Sequence, residues 1–571
     1  MIRTLIKLGL MLLSYFGWWE FFRGRCRVNV YFAPLLTLGV QFTAMFLPGL
    51  LNFLPEAAWA LYLAGFVFLA DALRREKLGF IKHYVNWGYC LCILAFVVML
   101  FAFRGKVVTW FDNFTHWATV VKNIIAADQF PTFAQPSVGF RTYPLGSATL
   151  IYYFSRITSD EEDFWMLAQG FMLLCTLLPL FSIRKKNGLL TAAFLALAGY
   201  FLLCYNIPLT ELLVDTLLPL AGTAMLLFLH RECLRDEEPL NLWFALPLLF
   251  WVMNIKNAGM LYVLAGLAIL FWQQRRQKEQ VKRLVQMVLV LLAGYFFWER
   301  HCDYVFYSEA ISQHEISLEY FQGKLSEKSL ADMASIAWML LKAMVLRREL
   351  ALILCSLAVL AGLTWLLVPQ AKARLWKLTG FLVSAFVVYA GSLAAMYIFS
   401  MSREGAMELQ SIDRYIRIGE ITYWYLIIVY ASFVTEGIPG ERLASLFLLL
   451  GMFAIRQVCY NGQQYPAQLW DYELEDRKYY ESILWEHGIE RGRAYMFCAE
   501  DDSYWYPAFL WGYHLDSGSI LQIKVTEESQ MDMEKNYDYV IILDENNPII
   551  EQWVAKTYPE QAGRTVIQCF K

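Results

Sequence analysis

Apolar residues in this chain gather into long unbroken runs, and short polar stretches separate them. A membrane-spanning helix needs about 20 consecutive apolar residues. Runs that approach that length lie at 30–53, 57–73, 84–102, 163–182, 189–206, 212–229, 240–254, 258–272, 284–299, 350–368, 378–399, 419–435 and 443–457. The pattern predicts a polytopic α-helical membrane protein of roughly 13–14 spans, with a multi-span domain over 1–457. Residues 1–20 carry basic Arg3 and Lys7 and an apolar middle. Arg23, Arg25 and Arg27 follow where a cleavable signal would have small residues, so this segment is expected to stay as a short span or an interfacial helix.

The pattern changes after residue 457. The tail, 458–571, is polar and carries short alternating runs at 493–498, 520–525, 539–543 and 565–570, the period of strands. Between them 507–513 and 548–556 read as helices. A small C-terminal α/β domain is expected, as a structural cap or as part of the active machinery.

Charge orients the spans. Basic clusters fall at 74–77, 184–186, 231–235, 275–283 and 372–377. The excess of Lys and Arg on cytoplasmic loops places them all inside. Two apolar stretches, 142–157 and 333–349, then cannot cross without throwing a cluster outside, and both are expected to lie as helices on the outer membrane face. This leaves outer loops at about 103–162 and 300–349 and an extracytoplasmic tail. A crossing first segment would put Arg3 and Lys7 outside, against the rule, so the N-terminal topology stays open.

Composition agrees with the pattern. Of 571 residues 58% are hydrophobic and only 17% charged, against about a quarter charged in soluble domains; mean hydropathy is +0.41. A net charge of −3 gives no footprint for nucleic acid. The 11 cysteines form no Cys-x-x-Cys pair, which argues against zinc and redox motifs; Cys498 and Cys569 are candidates to meet in the tail.

Chemistry is then sought among polar residues at the outer ends of the runs. Asp112 and His116, in Asp112-Asn113-Phe114-Thr115-His116-Trp117, are four apart and share a face if the stretch is helical. Asp112 reads either as a helix N-cap or as a carboxylate that takes a proton from an acceptor hydroxyl. Tyr143 and Pro144, in Arg141-Thr142-Tyr143-Pro144-Leu145-Gly146, read as a turn or as a substrate lining. Glu211 and Asp215 stand at the outer end of the run 212–229, where costly acids usually line a polar cavity. Lys256 is a snorkelling cation or a partner for a phosphate leaving group. Arg414, beside Tyr415, has the fork that binds phosphate, or else pairs on the surface with Asp413 or Glu420. His301 and His314, with Glu299, Asp303 and Glu315, match no metal-ligand spacing.

These residues resemble the C-type glycosyltransferase superfamily, polytopic enzymes that use lipid-phosphate-linked sugars. The matching features are Asp112 early in the first large outer loop, Tyr143-Pro144 further along it, Arg414-Tyr415 before a late span, and a soluble extracytoplasmic tail. They cover about residues 84–457. Two features depart from the family pattern: two or three spans precede the acidic residue, and Asp112-Asn113 replaces a paired acid. The resemblance implies inverting transfer of a sugar from a polyprenyl-phosphate donor to a glycan, lipid or protein acceptor of the cell envelope. Asp112 would be the general base, with His116 orienting acceptor or sugar. Lys256 and Arg414 would stabilise the departing lipid phosphate, Tyr415 would add a hydrogen bond, Tyr143 and Glu211 would line the substrate, and Asp215 would position substrate or Lys256. No cofactor is required by this reading, and a divalent cation stays open. Rival readings are a transporter or flippase of lipid-linked saccharides, a polysaccharide polymerase or ligase, and a non-catalytic scaffold.

Overall fold

The computed structural model describes residues 2–132, 140, 142–235, 237–306, 318–460, 474–499, 506–515, 520–544 and 546–569. Arg141, His314 and Glu315 lie outside the described residues. The helices of the first part are α1 Ile2–Gly24, α2 Ala33–Leu50, α3 Leu54–Glu76, α4 Trp87–Ala102, α5 Ala118–Ala127, α6 Gly146–Ile157, α7 Glu162–Leu177, α8 Leu189–Leu203, α9 Leu217–Phe228, α10 Leu246–Met253, α11 Gly259–Gln274, α12 Lys278–Val305, α13 Leu318–Ser326, α14 Leu330–Val345, α15 Arg348–Leu367, α16 Lys372–Phe399, α17 Arg403–Met407, α18 Ile412–Val434 and α19 Glu441–Tyr460. The tail adds α20 Leu474–Glu486, α21 Tyr506–Leu515 and α22 Pro548–Thr557, with strands β1 Tyr495–Cys498, β2 Ile520–Ile523, β3 Tyr539–Ile542 and β4 Val566–Gln568.

Among the described residues, eight helices are long and apolar enough to cross a membrane, and four shorter apolar helices accompany them. This is a multi-pass helical architecture, though with fewer full-length helices than the apolar runs predict. The shortfall has a local cause. α9 begins only after Asp215, α10 stops at Met253, and 254–258 is irregular. Irregular backbone at membrane depth is tolerated where protein or a polar cavity surrounds it, and both breaks carry candidate residues. α18 has Asp413, Arg414, Arg417 and Glu420 in its first half and is not among the eight.

The basic clusters interlock at one end of the helices. Arg23 bonds Glu76 at 2.7 Å, Arg27 bonds Glu238 at 3.1 Å, Arg231 donates to the Ser182 carbonyl, and Arg184 pairs with Glu441 at 3.1 Å. The C-termini of α8, α10 and α16 and the N-termini of α9, α11 and α18 therefore meet at the other end. α1 also runs between the two ends. It packs along α3, where Ser14 donates to the Tyr62 carbonyl and Trp18 to the Leu61 carbonyl. A Cβ on Gly17 would fall inside the Gly65 carbonyl, so the pair is held at the close approach that small residues permit. The start of α1 reaches the end remote from the basic clusters, where Lys7 donates to the Thr158 carbonyl at 3.5 Å.

The two expected surface helices differ. α14 keeps a buried stripe of Ile336, Leu340 and Met344 and exposes Trp338, Leu341 and Val345. α6 corrects the expectation for 142–157: it forms, but nearly every residue is buried, and it packs against α1, α2, α3, α5, α7 and α10. Its apolar side chains meet protein on all sides, so none of its faces is left to lie on lipid.

In the tail the sheet order is β2-β1-β3-β4, with β1 parallel to both β2 and β3, and β4 antiparallel to β3. Cys498 and Cys569 share one hydrophobic core but remain free thiols.

Candidate active site

The Asp112 stretch is an irregular turn. Residues Asn113–Trp117 form a single π-helical turn that runs into α5, a feature frequent at functional sites. Asp112 itself has helical dihedrals (φ −63°, ψ −16°) and makes no cap hydrogen bond, so the N-cap reading is set aside. Its carboxylate instead accepts from Arg414 Nη1, 302 residues away in sequence.

Beneath the turn lies Glu211, 0% exposed. Its carboxylate accepts from Thr109 Oγ1 at 2.9 Å, from the Thr109 and Trp110 amides at 3.4 and 3.3 Å, and from Asn113 Nδ2. Asn113 Oδ1 accepts in return from the Leu212 amide at 3.2 Å. Burial pushes the Glu211 carboxyl up to about 8, against the pull of the Thr109, Trp110 and Asn113 donors. Glu211 is thus a floor for the turn. Its oxygens are taken by Thr109, Trp110 and Asn113.

Asp215 sits one step further along. Its Oδ1 accepts from Lys256 Nζ at 2.8 Å, and its Oδ2 lies 3.5 Å from Arg414 Nε. Arg414 bridges Asp112 and Asp215, giving an alternating row: Asp112, Arg414, Asp215, Lys256. Four distant parts of the chain supply it. The Arg414-Tyr415 backbone is fixed by Asn206, which donates to the Arg414 carbonyl at 3.1 Å, and by the Tyr389 hydroxyl, which donates to the Tyr415 carbonyl at 2.6 Å. Lys256 and Arg414 lie 5.6 and 5.4 Å from the centre of the Tyr415 ring, within cation–π range. The surface pairing of Arg414 with Asp413 or Glu420 is not formed; Arg347 takes both acids.

His116 packs into an aromatic group, with its ring centre 5.4 Å from Tyr143 and 5.6 Å from Phe140. Burial, with the Lys256 charge second, pushes its imidazole down to about 3, so it is neutral at physiological pH. Among the described residues its buried Nδ1 has no hydrogen-bond partner.

A cleft of about 580 Å³ opens beside the row. Lys256, Asn257, Tyr143 and Tyr415 form a polar wall, Gln322 and Ser400 add two further polar side chains, and Leu318, Phe321, Leu325, Met396 and Phe399 are the main apolar lining. The lining combines one cation, two phenols and an apolar trough. A larger groove of about 730 Å³ between α8, α15, α18 and α19 has no charged lining residue and lies away from this chemistry.

Seven of the eight predicted residues therefore gather at one place, with Glu211 set beneath them. Asn113 as a structural tie, and Asn206, Asn257, Phe321 and Tyr389, join the site without standing out in the sequence. Their only signal is polarity or size beside an apolar run, which many other residues share. Among the described residues no group of three or more His, Cys, Asp or Glu side chains converges as a metal site; His301 stacks on Trp298 and meets the edge of Phe130.

No protein-family model and no curated protein matches the chain. Among solved structures it is similar to ArnT from Cupriavidus metallidurans bound to undecaprenyl phosphate. The match covers 82% of this chain and 95% of that one, at 13% identity and a TM-score of 0.38.

Proposed function

We propose that the protein transfers a sugar from a polyprenyl-phosphate-linked donor to a hydroxyl acceptor of the cell envelope, at the extracytoplasmic ends of its helices. The observation that carries the reading is the alternating row Asp112–Arg414–Asp215–Lys256 beside an apolar cleft. An apolar trough with a cation at its rim suits a lipid phosphate, whose tail gains from burial and whose headgroup needs positive charge. Lys256 and the Tyr143 and Tyr415 hydroxyls face that headgroup, and positive charge there stabilises the phosphate as the glycosidic bond breaks. Asp112 is the carboxylate beside the acceptor; it accepts the hydroxyl proton as the oxygen attacks the sugar carbon from the face opposite the leaving phosphate. Arg414 orients Asp112 and Asp215, and an arriving phosphate offers its guanidinium a further partner. His116, as a neutral imidazole, holds sugar or acceptor through Nδ1. Under this reading the basic clusters are cytoplasmic, and residues 458–571 form an extracytoplasmic domain.

The charges of the row sit at helix ends instead of being spread through the bundle, which favours an enzyme over a flippase. The test is Asp112→Asn in purified protein given polyprenyl-phosphate sugars and candidate acceptors. Transfer should fall by about 10²–10⁴-fold while donor binding persists. Unchanged transfer would exclude Asp112 as the base.

A further inference from the structure

The turn that carries Asp112 is gripped from two sides. Glu211 holds its inner face. The outer face is held by the tail, through residues that the proposed reaction does not use. Arg477 of α20 is 3% exposed. It pairs with both oxygens of Glu162, at the start of α7, at 2.9 and 3.0 Å, and also donates to the Val108 carbonyl. Glu162 further accepts from the Tyr513 hydroxyl of α21 at 2.6 Å and from the Val108 amide at 2.8 Å. Tyr506 of α21 donates to the Thr109 carbonyl at 3.1 Å. Phe114 packs against the Tyr506 and Tyr513 rings, 5.6 and 5.4 Å away, and Phe111 meets Phe509 at 5.7 Å. Lys122 donates to the Tyr513 carbonyl.

We propose that the C-terminal domain is a positioning element for the active carboxylate, with Arg477, Glu162 and Tyr506 as its positioning residues. The inference rests on the reading of Asp112 given above. The contacts have a shared target: most end on the backbone or rings of residues 108–114. None of the three is a lining residue of the cleft. Residue 109 is held at its carbonyl by Tyr506 and at its amide by Glu211, three positions before Asp112. A buried fork such as Arg477–Glu162 has a defined geometry, and loss of either partner leaves a buried charge uncompensated. The turn would then relax outward, and Asp112 would move relative to the bound sugar. A misplacement of about 1 Å can cost roughly 100-fold in rate.

The test uses the full-length protein in detergent or nanodiscs, comparing Arg477→Ala, Arg477→Lys and Tyr506→Phe with the exposed tail variant Lys556→Ala. Arg477→Ala should lower kcat by about 10- to 100-fold with the donor KM within about twofold. Arg477→Lys should recover part of the loss, and Lys556→Ala should match wild type. Hydrogen exchange of peptides covering 105–117 should rise in Arg477→Ala. Tyr506→Phe removes one bond and keeps the ring; if Arg477→Ala does not fold, a smaller change of the same sign in this variant carries the test. Unchanged kcat and unchanged exchange of the turn, with only the melting temperature lowered, would make the tail a cap and overturn the proposal. The exchange arm needs no turnover. A wild-type protein that transfers no sugar yet shows the exchange change would sink the sugar-transfer reading and leave the clamp standing.

Discussion

Two charged assemblies sit at opposite ends of this molecule and differ in how well they are satisfied. At the basic end, Arg184 is buried among acceptors: the Ser432 carbonyl at 2.8 Å, Thr191 at 2.6 Å, Glu441 at 3.1 Å, Ser445 at 3.5 Å, and Thr435. At the other end, Arg414 bridges two carboxylates, but among the described residues its Nε has only a long ionic contact and His116 Nδ1 has no partner. Buried polar groups in folded proteins are nearly always paired. The closed assembly joins α8, α18 and α19 and gives every guanidinium nitrogen of Arg184 an acceptor, with the Ser432 hydroxyl left over among the described residues. The open one keeps donors and acceptors in reserve next to a cleft. Burial and charge are alike in both, so the unspent hydrogen-bonding capacity is what separates a joint from a site.

Substitutions should divide along that line. After Asp112→Asn, Lys256→Ala should produce the largest effect, a fall in transfer rate of about 10²–10³-fold. The melting temperature should stay near wild type, because Asp215 retains Arg414. A large loss of stability with normal specific activity would move Lys256 to the structural side. Arg184→Ala should show the reverse: about 3–5 kcal/mol of stability lost, read by thermal or denaturant unfolding in detergent, with kcat per folded molecule unchanged. A catalytic defect there would break the contrast.

Glu211 sharpens the comparison with a smaller effect, since it belongs to the closed kind although it lies at the open end. Its carboxyl is raised to about 8 in the fold by burial. A raised acid contributes stability below its ordinary range and loses that contribution as pH rises through the folded value. Thermal stability should therefore decline between about pH 4.5 and 8 and level off above that. Glu211→Gln should flatten that decline, and an identical slope in the variant would show that Glu211 is not its source.

The sequence made much of this legible where the signal was local. Apolar runs located the helices, with ends displaced by as many as seven residues at α18, because lipid demands a length and a composition that a short window can display. Strand alternation located β1 to β4 for the same kind of reason. α6 was misjudged because a buried helix and an interfacial helix have similar composition; neighbours decide between them. Asp112, Asp215, Lys256 and Arg414 were each noticeable as a charge at the end of an apolar run. Their order in the row was not, since ion pairs across 302 residues leave no mark on local spacing. Glu211 looked like Asp215 in sequence and parted from it only through Thr109, Trp110 and Asn113.

By itself, then, the sequence determined a helical membrane bundle, a small α/β tail and a set of charges at one end, because hydropathy, periodicity and charge bias act over short stretches. The tertiary structure decided which acids join the row with Arg414 and Lys256 and which supports the floor, how Arg414 divides between two carboxylates, and that Arg477 reaches the turn of Asp112. Those outcomes depend on the packing of segments hundreds of residues apart, where hydrogen-bond geometry and desolvation set each group's role.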